Sequence, residues 1–153
     1  MEIASHKVWQ GCNALLIEDD PSMADMARRA AAECCPGLHL TVVGCGVAAL
    51  DWLTDSVAKK ELMPHIIMLD MKFPKLDGLA VLRRLRLHDA TRDVPIIGFS
   101  SEHTPEDVVM SYRVGVNSFV PKPADQQQFE KLLYDQFVYW AHPQQRRFEF
   151  STR

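Results

Sequence analysis

His65-Ile66-Ile67-Met68-Leu69-Asp70 runs straight into Met71-Lys72-Phe73-Pro74-Lys75-Leu76-Asp77-Gly78, and this stretch decides the fold. Four apolar residues in a row read as a strand buried on both faces, with a carboxylate where that strand surfaces into a loop. In an open α/β sheet the carboxyl ends of the strands line the crevice where ligands bind, so Asp70 stands where chemistry is expected. A lone Asp at a strand end also suits an ordinary turn. The rest of the chain decides between the two.

Upstream, Asn13-Ala14-Leu15-Leu16-Ile17 reads as a strand emptying into the acidic loop Glu18-Asp19-Asp20-Pro21. Pro21 suits a helix start, and the Ala-rich segment from Met23 to Cys34 forms the first helix until Pro36-Gly37 stops it. Leu38 to Val43 alternates as a second strand, Gly44-Cys45-Gly46 turns, and Val47, Leu50, Trp52 and Leu53 mark a second helix. Downstream, Asp77-Gly78 opens a third helix with Leu79, Leu82, Leu85 and Leu87 as its apolar positions. Arg83, Arg84 and Arg86 lie among them and read as a solvated face in preference to a phosphate-binding patch. Val94 to Phe99 is the fourth strand, surfacing at Ser100-Ser101, and Thr104-Pro105-Glu106-Asp107 combines an N-cap hydroxyl, a first-turn Pro and two first-turn acids. Asn117 to Val120 is a short fifth strand closing at Pro121-Lys122-Pro123. Pro121 cannot donate a ladder hydrogen bond, which predicts a sheet edge.

Five strands each followed by a helix predict a parallel sheet with right-handed crossovers and helices on both faces. The order 2-1-3-4-5 sets the first and third strands side by side at the switch point, so that Glu18 and Asp19 face Asp70. Three carboxylates together disfavour one another unless a cation sits among them, and an oxygen-only donor set suits Mg²⁺. The same acids would repel the phosphates of a flavin or dinucleotide at the first strand-to-helix turn. Ser100 adds a hydroxyl and Lys122 an ammonium from the neighbouring strand ends. Together they are what a phosphoryl group needs: an acceptor oxygen in Asp70, positive charge and a hydrogen-bond donor.

Composition narrows the alternatives. The chain has 153 residues, enough for one domain, and its 47% hydrophobic content supplies a core. A net charge of −3 gives no overall drive toward nucleic acid or membranes, and neither is expected as a partner. No apolar run approaches a membrane span, residues 1–10 lack a signal-peptide core, and a cytoplasmic location is expected. Cys12, Cys34, Cys35 and Cys45 show no C-x-x-C pair and are expected to stay reduced. The six histidines are too scattered for a metal site.

From Asn13 to Trp140 the chain resembles the response-regulator receiver domains of two-component signalling. The resemblance rests on Glu18-Asp19, Asp70 with Pro74 and Asp77-Gly78 after it, Ser100, Phe119 and Lys122-Pro123, with 30 positions from Asp70 to Ser100 and 22 from Ser100 to Lys122. It implies a flavodoxin-like three-layer α/β/α sandwich over residues 13–141, between a leader at 1–12 and a tail at 142–153. It also implies transfer of a phosphoryl group from the phosphohistidine of a sensor histidine kinase to Asp70. A Mg²⁺ or Mn²⁺ ion would be held by Asp19, Asp70 and the backbone carbonyl of Lys72, with Glu18 acting mainly through water. Such a protein is a phosphoacceptor that assists its own phosphorylation and dephosphorylation, and is not otherwise an enzyme. In similar domains the Lys122-Pro123 peptide is cis.

The resemblance also implies a switch in which phosphorylation draws Ser100 toward Asp70 and the ring of Phe119 turns inward. With Phe at this position, the switch is expected to do without a tyrosine hydrogen bond. Lys72 and Glu102 are expected to modulate loss of the phosphoryl group by pairing over the crevice. In the last helix Phe129, Leu132, Leu133, Phe137 and Trp140 share the sheet-facing side, while Tyr134 and Val138 point elsewhere, toward a dimer or partner contact. That pattern, with the tail Arg146-Arg147-Phe148-Glu149-Phe150, is similar to stand-alone response regulators accompanying phytochromes, which makes a bacteriophytochrome a candidate kinase. No output domain fits in the remaining residues, so the expected signal is phosphorylation-dependent protein contact or onward phosphorelay. Two other readings compete. One is a receiver-shaped binding module that is never phosphorylated. The other is an aspartate-nucleophile phosphohydrolase of the haloacid dehalogenase type, which wants an acid two residues after Asp70, where this chain has Lys72.

Overall fold

The computed structural model describes residues 9–57, 63–72 and 77–141. Its elements are β1 (Asn13–Ile17), α1 (Pro21–Cys34), β2 (His39–Val43), α2 (Gly46–Val57), β3 (Ile66–Asp70), α3 (Asp77–Leu87), β4 (Ile96–Ser100), α4 (Pro105–Val114), β5 (Ser118–Pro121) and α5 (Gln126–Ala141). The five strands form one sheet in the order β2-β1-β3-β4-β5, and every pairing is parallel. This is the predicted flavodoxin-like arrangement.

Burial follows the sheet. The central strands β1, β3 and β4 are buried along their whole length, whereas the edge strands β2 and β5 are mostly half-buried. Parallel strands covered on both faces read as continuous apolar runs, which is why β3 was legible as a strand. One core layer joins Leu16, Met68 and Phe99 to α1 and to Phe129, Leu133 and Phe137 of α5. The opposite layer joins Leu15, Ile67 and Leu69 to Leu53 of α2 and Leu79, Leu82 and Leu85 of α3.

Helix starts are set by local chemistry. Asp20 caps α1, its carboxylate accepting the Ser22 N–H at 2.9 Å, with Pro21 in the first turn. Thr104 caps α4 in a reciprocal box: the Thr104 hydroxyl accepts from the Asp107 N–H and the Asp107 carboxylate accepts from the Thr104 N–H. At Gly78, a Cβ would run into the backbone of Met71, so only glycine lets α3 pass this close to the end of β3.

The structure corrects four readings of the sequence. The leader does not extend to residue 12: Trp9 and Cys12 are buried in the α1–α5 core layer, and the Trp9 ring lies 6.1 Å from that of Phe137. Leu87 is not a core position, being 81% exposed at the end of α3. Val138 does not point away from the domain but is half-buried against the α1–α5 layer. Arg86 is not part of a solvated face. Its guanidinium donates to the carbonyls of Gly115, Thr91, Arg92 and Val94 and to the Asn117 side chain at 2.7–3.2 Å. Asn117 in turn accepts the Ile96 N–H at 2.9 Å. The group fastens the start of β4 to the α4–β5 loop, at the end of the sheet opposite Asp70. The expected tail, 142–153, and Pro74 lie outside the described residues.

Candidate functional site

Register brings the acids together. β1 lies beside β3 with Ile17 opposite Leu69, so the loop after Ile17 and the end of β3 surface side by side. Glu18, Asp19 and Asp70 each place a carboxylate oxygen within 4.8 Å of the others. Glu18 is 3% and Asp70 8% exposed, whereas Asp19 is open to solvent. They line a crevice shared with Lys72, Val81 and Arg84.

The ammonium of Lys122 lies between the two buried acids. Its Nζ is 3.2–3.3 Å from both oxygens of Glu18 and 3.3 Å from Oδ2 of Asp70, above the ring of Phe99 at 5.8 Å. Two buried acids facing one half-buried lysine leave a net negative charge, which a second positive group would balance. Burial raises the pKa of Glu18, an effect that the Asp70 charge reinforces and the Asp20 N–H and Lys122 oppose. Burial alone would depress Lys122, but Asp70 and Glu18 overcome it, and its pKa is raised. Oε1 of Glu18 accepts from the Asp20 N–H at 3.0 Å and from Lys122 at 3.3 Å, while Oε2 is met only by the Lys122 ammonium, as an ion pair at 3.2 Å without hydrogen-bond alignment. A buried carboxylate oxygen with spare acceptor capacity, beside two further carboxylates, fits a divalent cation or its bound water.

Lys72 contributes twice. Its backbone has φ +49°, rare for a residue with a Cβ, and its N–H donates to Oδ1 of Asp70 at 3.2 Å. Its ammonium is paired with Asp19. That pairing corrects the expectation that Lys72 meets Glu102. Glu102 instead presents its backbone carbonyl to the Ser100 hydroxyl at 2.8 Å. The hydrogen bond to Lys72 is the largest of the influences that lower the pKa of Asp19.

Ser100 is 2% exposed at the end of β4, as predicted, but its hydroxyl is committed to Glu102 and must rotate to reach a group on Asp70. Phe119 is half-buried, and its ring meets the edge of His103 at 5.0 Å. The backbone N–H of Phe119 donates to the phenol oxygen of Tyr112 on α4 at 3.0 Å. A tyrosine hydrogen bond does therefore reach this segment, made by Tyr112 to the backbone and not by the side chain at 119. An exposed Tyr on a helix gives no sequence signal for such a role. We expect Tyr112→Phe to speed amide exchange at Phe119 by about fivefold with little change in global stability, since one hydrogen bond contributes about 1 kcal/mol. Residue-resolved hydrogen exchange checks it.

The family model of the response regulator receiver domain matches residues 14–134. The chain belongs to the response regulator receiver family. A curated relative, the DNA-binding dual master transcriptional regulator RpaA of Synechocystis sp. (strain ATCC 27184 / PCC 6803 / Kazusa), is 30% identical over 112 residues, which are 72% of this chain and 43% of that protein. The chain thus spans less than half of that relative's length. The bacteriophytochrome response regulator AtBRR is 34% identical with a TM-score of 0.63, covering 85% of this chain and 95% of the other. The Mn²⁺-bound form of response regulator Rcp1 has a TM-score of 0.72 at 22% identity, over 86% of this chain and 96% of the other, a likeness of fold alone. As a receiver, the chain belongs to a signalling family whose acidic pocket binds a divalent metal, and its relatives include response regulators associated with phytochromes. Among the described residues no helix is long and apolar enough to cross a membrane.

Proposed function

We propose that this receiver is a phosphoacceptor switch in which Asp70 takes a phosphoryl group from the phosphohistidine of a sensor histidine kinase. An Asp70 oxygen forms the new P–O bond as the P–N bond to histidine breaks. The observation that supports this reading best is the position of Lys122, within 3.3 Å of both Glu18 and Asp70 and able to neutralise charge gained by either. Asp19, Asp70 and the Lys72 carbonyl would hold a Mg²⁺ or Mn²⁺ ion, with Glu18 reaching it through water. Such an ion supplies charge stabilisation to the transferring phosphoryl oxygens. Lys72 competes with the ion for Asp19, which makes it a modulator of both uptake and loss of the phosphoryl group.

Switching follows from the same contacts. A phosphoryl group on Asp70 offers acceptor oxygens that draw the Ser100 hydroxyl away from the Glu102 carbonyl. The loop after β4 then shifts, and with it His103, against which the Phe119 ring rests. Phosphorylation biases two arrangements that already exist. The signal leaves by protein contact or onward phosphotransfer in the cytoplasm. Tyr134, 54% exposed on α5, is the side chain we assign to a homodimer or partner contact, with Val138 supporting it from its half-buried position. The likeness to AtBRR makes a bacteriophytochrome the first kinase to test.

Incubation with acetyl phosphate and Mg²⁺ followed by intact-mass measurement tests the proposal. The wild type is expected to gain one phosphoryl group and Asp70→Asn none. A wild type that stays unlabelled while still binding a partner would favour the phosphorylation-independent binding module.

A further inference from the structure

β2 closes the sheet on one side, and its backbone faces two ways. Toward β1 it presents alternate residues: the His39 N–H donates to the Cys12 carbonyl and the Val43 carbonyl accepts the Glu18 N–H, each at 2.9 Å. In a parallel ladder that parity commits His39, Thr41 and Val43 to β1 and turns the N–H and C=O groups of Leu40 and Val42 outward. Among the described residues nothing pairs with those outward groups. The side chains of Leu40 and Val42 are already engaged in the α1–α5 core layer, so a strand arriving at the rim meets backbone without disturbing the core. The usual guards of an open edge are missing. His39-Leu40-Thr41-Val42-Val43 has no lysine, no proline and no acidic residue, and its register with β1 runs without a bulge.

We propose that this rim pairs with the same rim of a second copy, β2 against β2 and antiparallel, to join the two sheets into one about a two-fold axis. The outward groups are their own complement when read in reverse. With the axis beside Thr41, Leu40 of each copy lies opposite Val42 of the other, and every outward N–H of these residues meets a facing C=O. Thr41 then faces Thr41 on the α2 side and the apolar Leu40–Val42 pairs lie on the α1 side, with no like charges opposed. The arrangement closes at two copies, because each rim is occupied by the other. Antiparallel pairing turns the two Asp70 rims to opposite ends of the joined sheet, which keeps the contact apart from the phosphoryl chemistry.

The test follows the mass and the amide exchange of the full chain together. As chain concentration rises from micromolar to millimolar, sedimentation equilibrium is expected to show growth to two copies and no further. Residue-resolved hydrogen exchange at the Leu40 and Val42 amides is expected to slow in proportion to the unpaired fraction, about twofold where half of the chains are paired. Val42→Pro removes an outward donor and leaves the bonds to β1 in place, as an edge strand tolerates, and is expected to stay monomeric over the same range. Thr41→Lys opposes like charges across the axis without touching an outward backbone group. It is expected to behave in the same way and stands in where Val42→Pro does not fold. A wild type that stays monomeric, assembly beyond two copies, or a folded variant that dimerises like the wild type would each overturn the proposal. Dimers in which Leu40 and Val42 exchange at an unchanged rate would overturn it as well, and would move the contact to another surface such as that of Tyr134.

Discussion

Replacing Lys122 with methionine is expected to cut phosphoryl uptake from acetyl phosphate by roughly a hundredfold or more, the usual cost of losing one preorganised charge-stabilising donor. The same change tests the electrostatic reading of the pocket, because Lys122 is the ammonium within 3.3 Å of both Glu18 and Asp70. Those two side chains are 0% and 6% exposed, so removing their counter-charge leaves two neighbouring carboxylates facing each other out of water. The Lys122 side chain itself retains 15% exposure, and water can enter the space it leaves. We therefore expect a loss of about 1–3 kcal/mol, below the full cost of breaking a sealed ion pair. Urea unfolding with a chelator present reads that loss. Added Mn²⁺ should return part of it in the variant, since a divalent ion offers the acids an alternative counter-charge. A variant with unchanged uptake and unchanged stability would show that the lysine is a bystander.

Arg86→Ala is expected to cost about 2–4 kcal/mol and to lower the melting temperature by roughly 10 °C, while leaving the phosphoryl chemistry intact. The guanidinium donates to four backbone carbonyls and to Asn117, which no other side chain of similar length can do. Charged donors of this kind each contribute about 1.5–3 kcal/mol, but they act as one unit and water partly replaces them, so the sum is not additive. Arg86→Lys should recover less than half of the loss, because an ammonium lacks the planar fork that spans these acceptors. Thermal unfolding of the three proteins, together with acetyl phosphate labelling, separates this anchor from the site. A drop in labelling of the folded Arg86→Ala variant would mean that the two ends of the sheet are coupled.

How far the sequence carries differs between these two lysine and arginine cases. Lys122 was legible because strand ends in a parallel sheet are fixed by apolar runs, and those runs set Glu18, Asp70, Ser100 and Lys122 on one rim. Arg86 was misread because apolar periodicity says only which helix positions face the core, and its acceptors lie up to 31 residues away in loops. Leu87 was misread for a related reason: the helix ends there, and an apolar residue in a last turn need not face inward. Lys72 found Asp19 instead of Glu102 through a positive φ that no non-glycine sequence advertises. Trp9 was missed because a short polar segment with one aromatic has no period to read, although its ring completes the layer against Phe137.

In the four-residue strand β5 only alternate residues face outward, and here Phe119 has its N–H taken by Tyr112 while Pro121 has none to give. A stranger's extended backbone therefore finds no free donor at either outward residue, which weakens edge-to-edge pairing at that border. A partner at this margin then gains more from side-chain shape and charge than from backbone pairing.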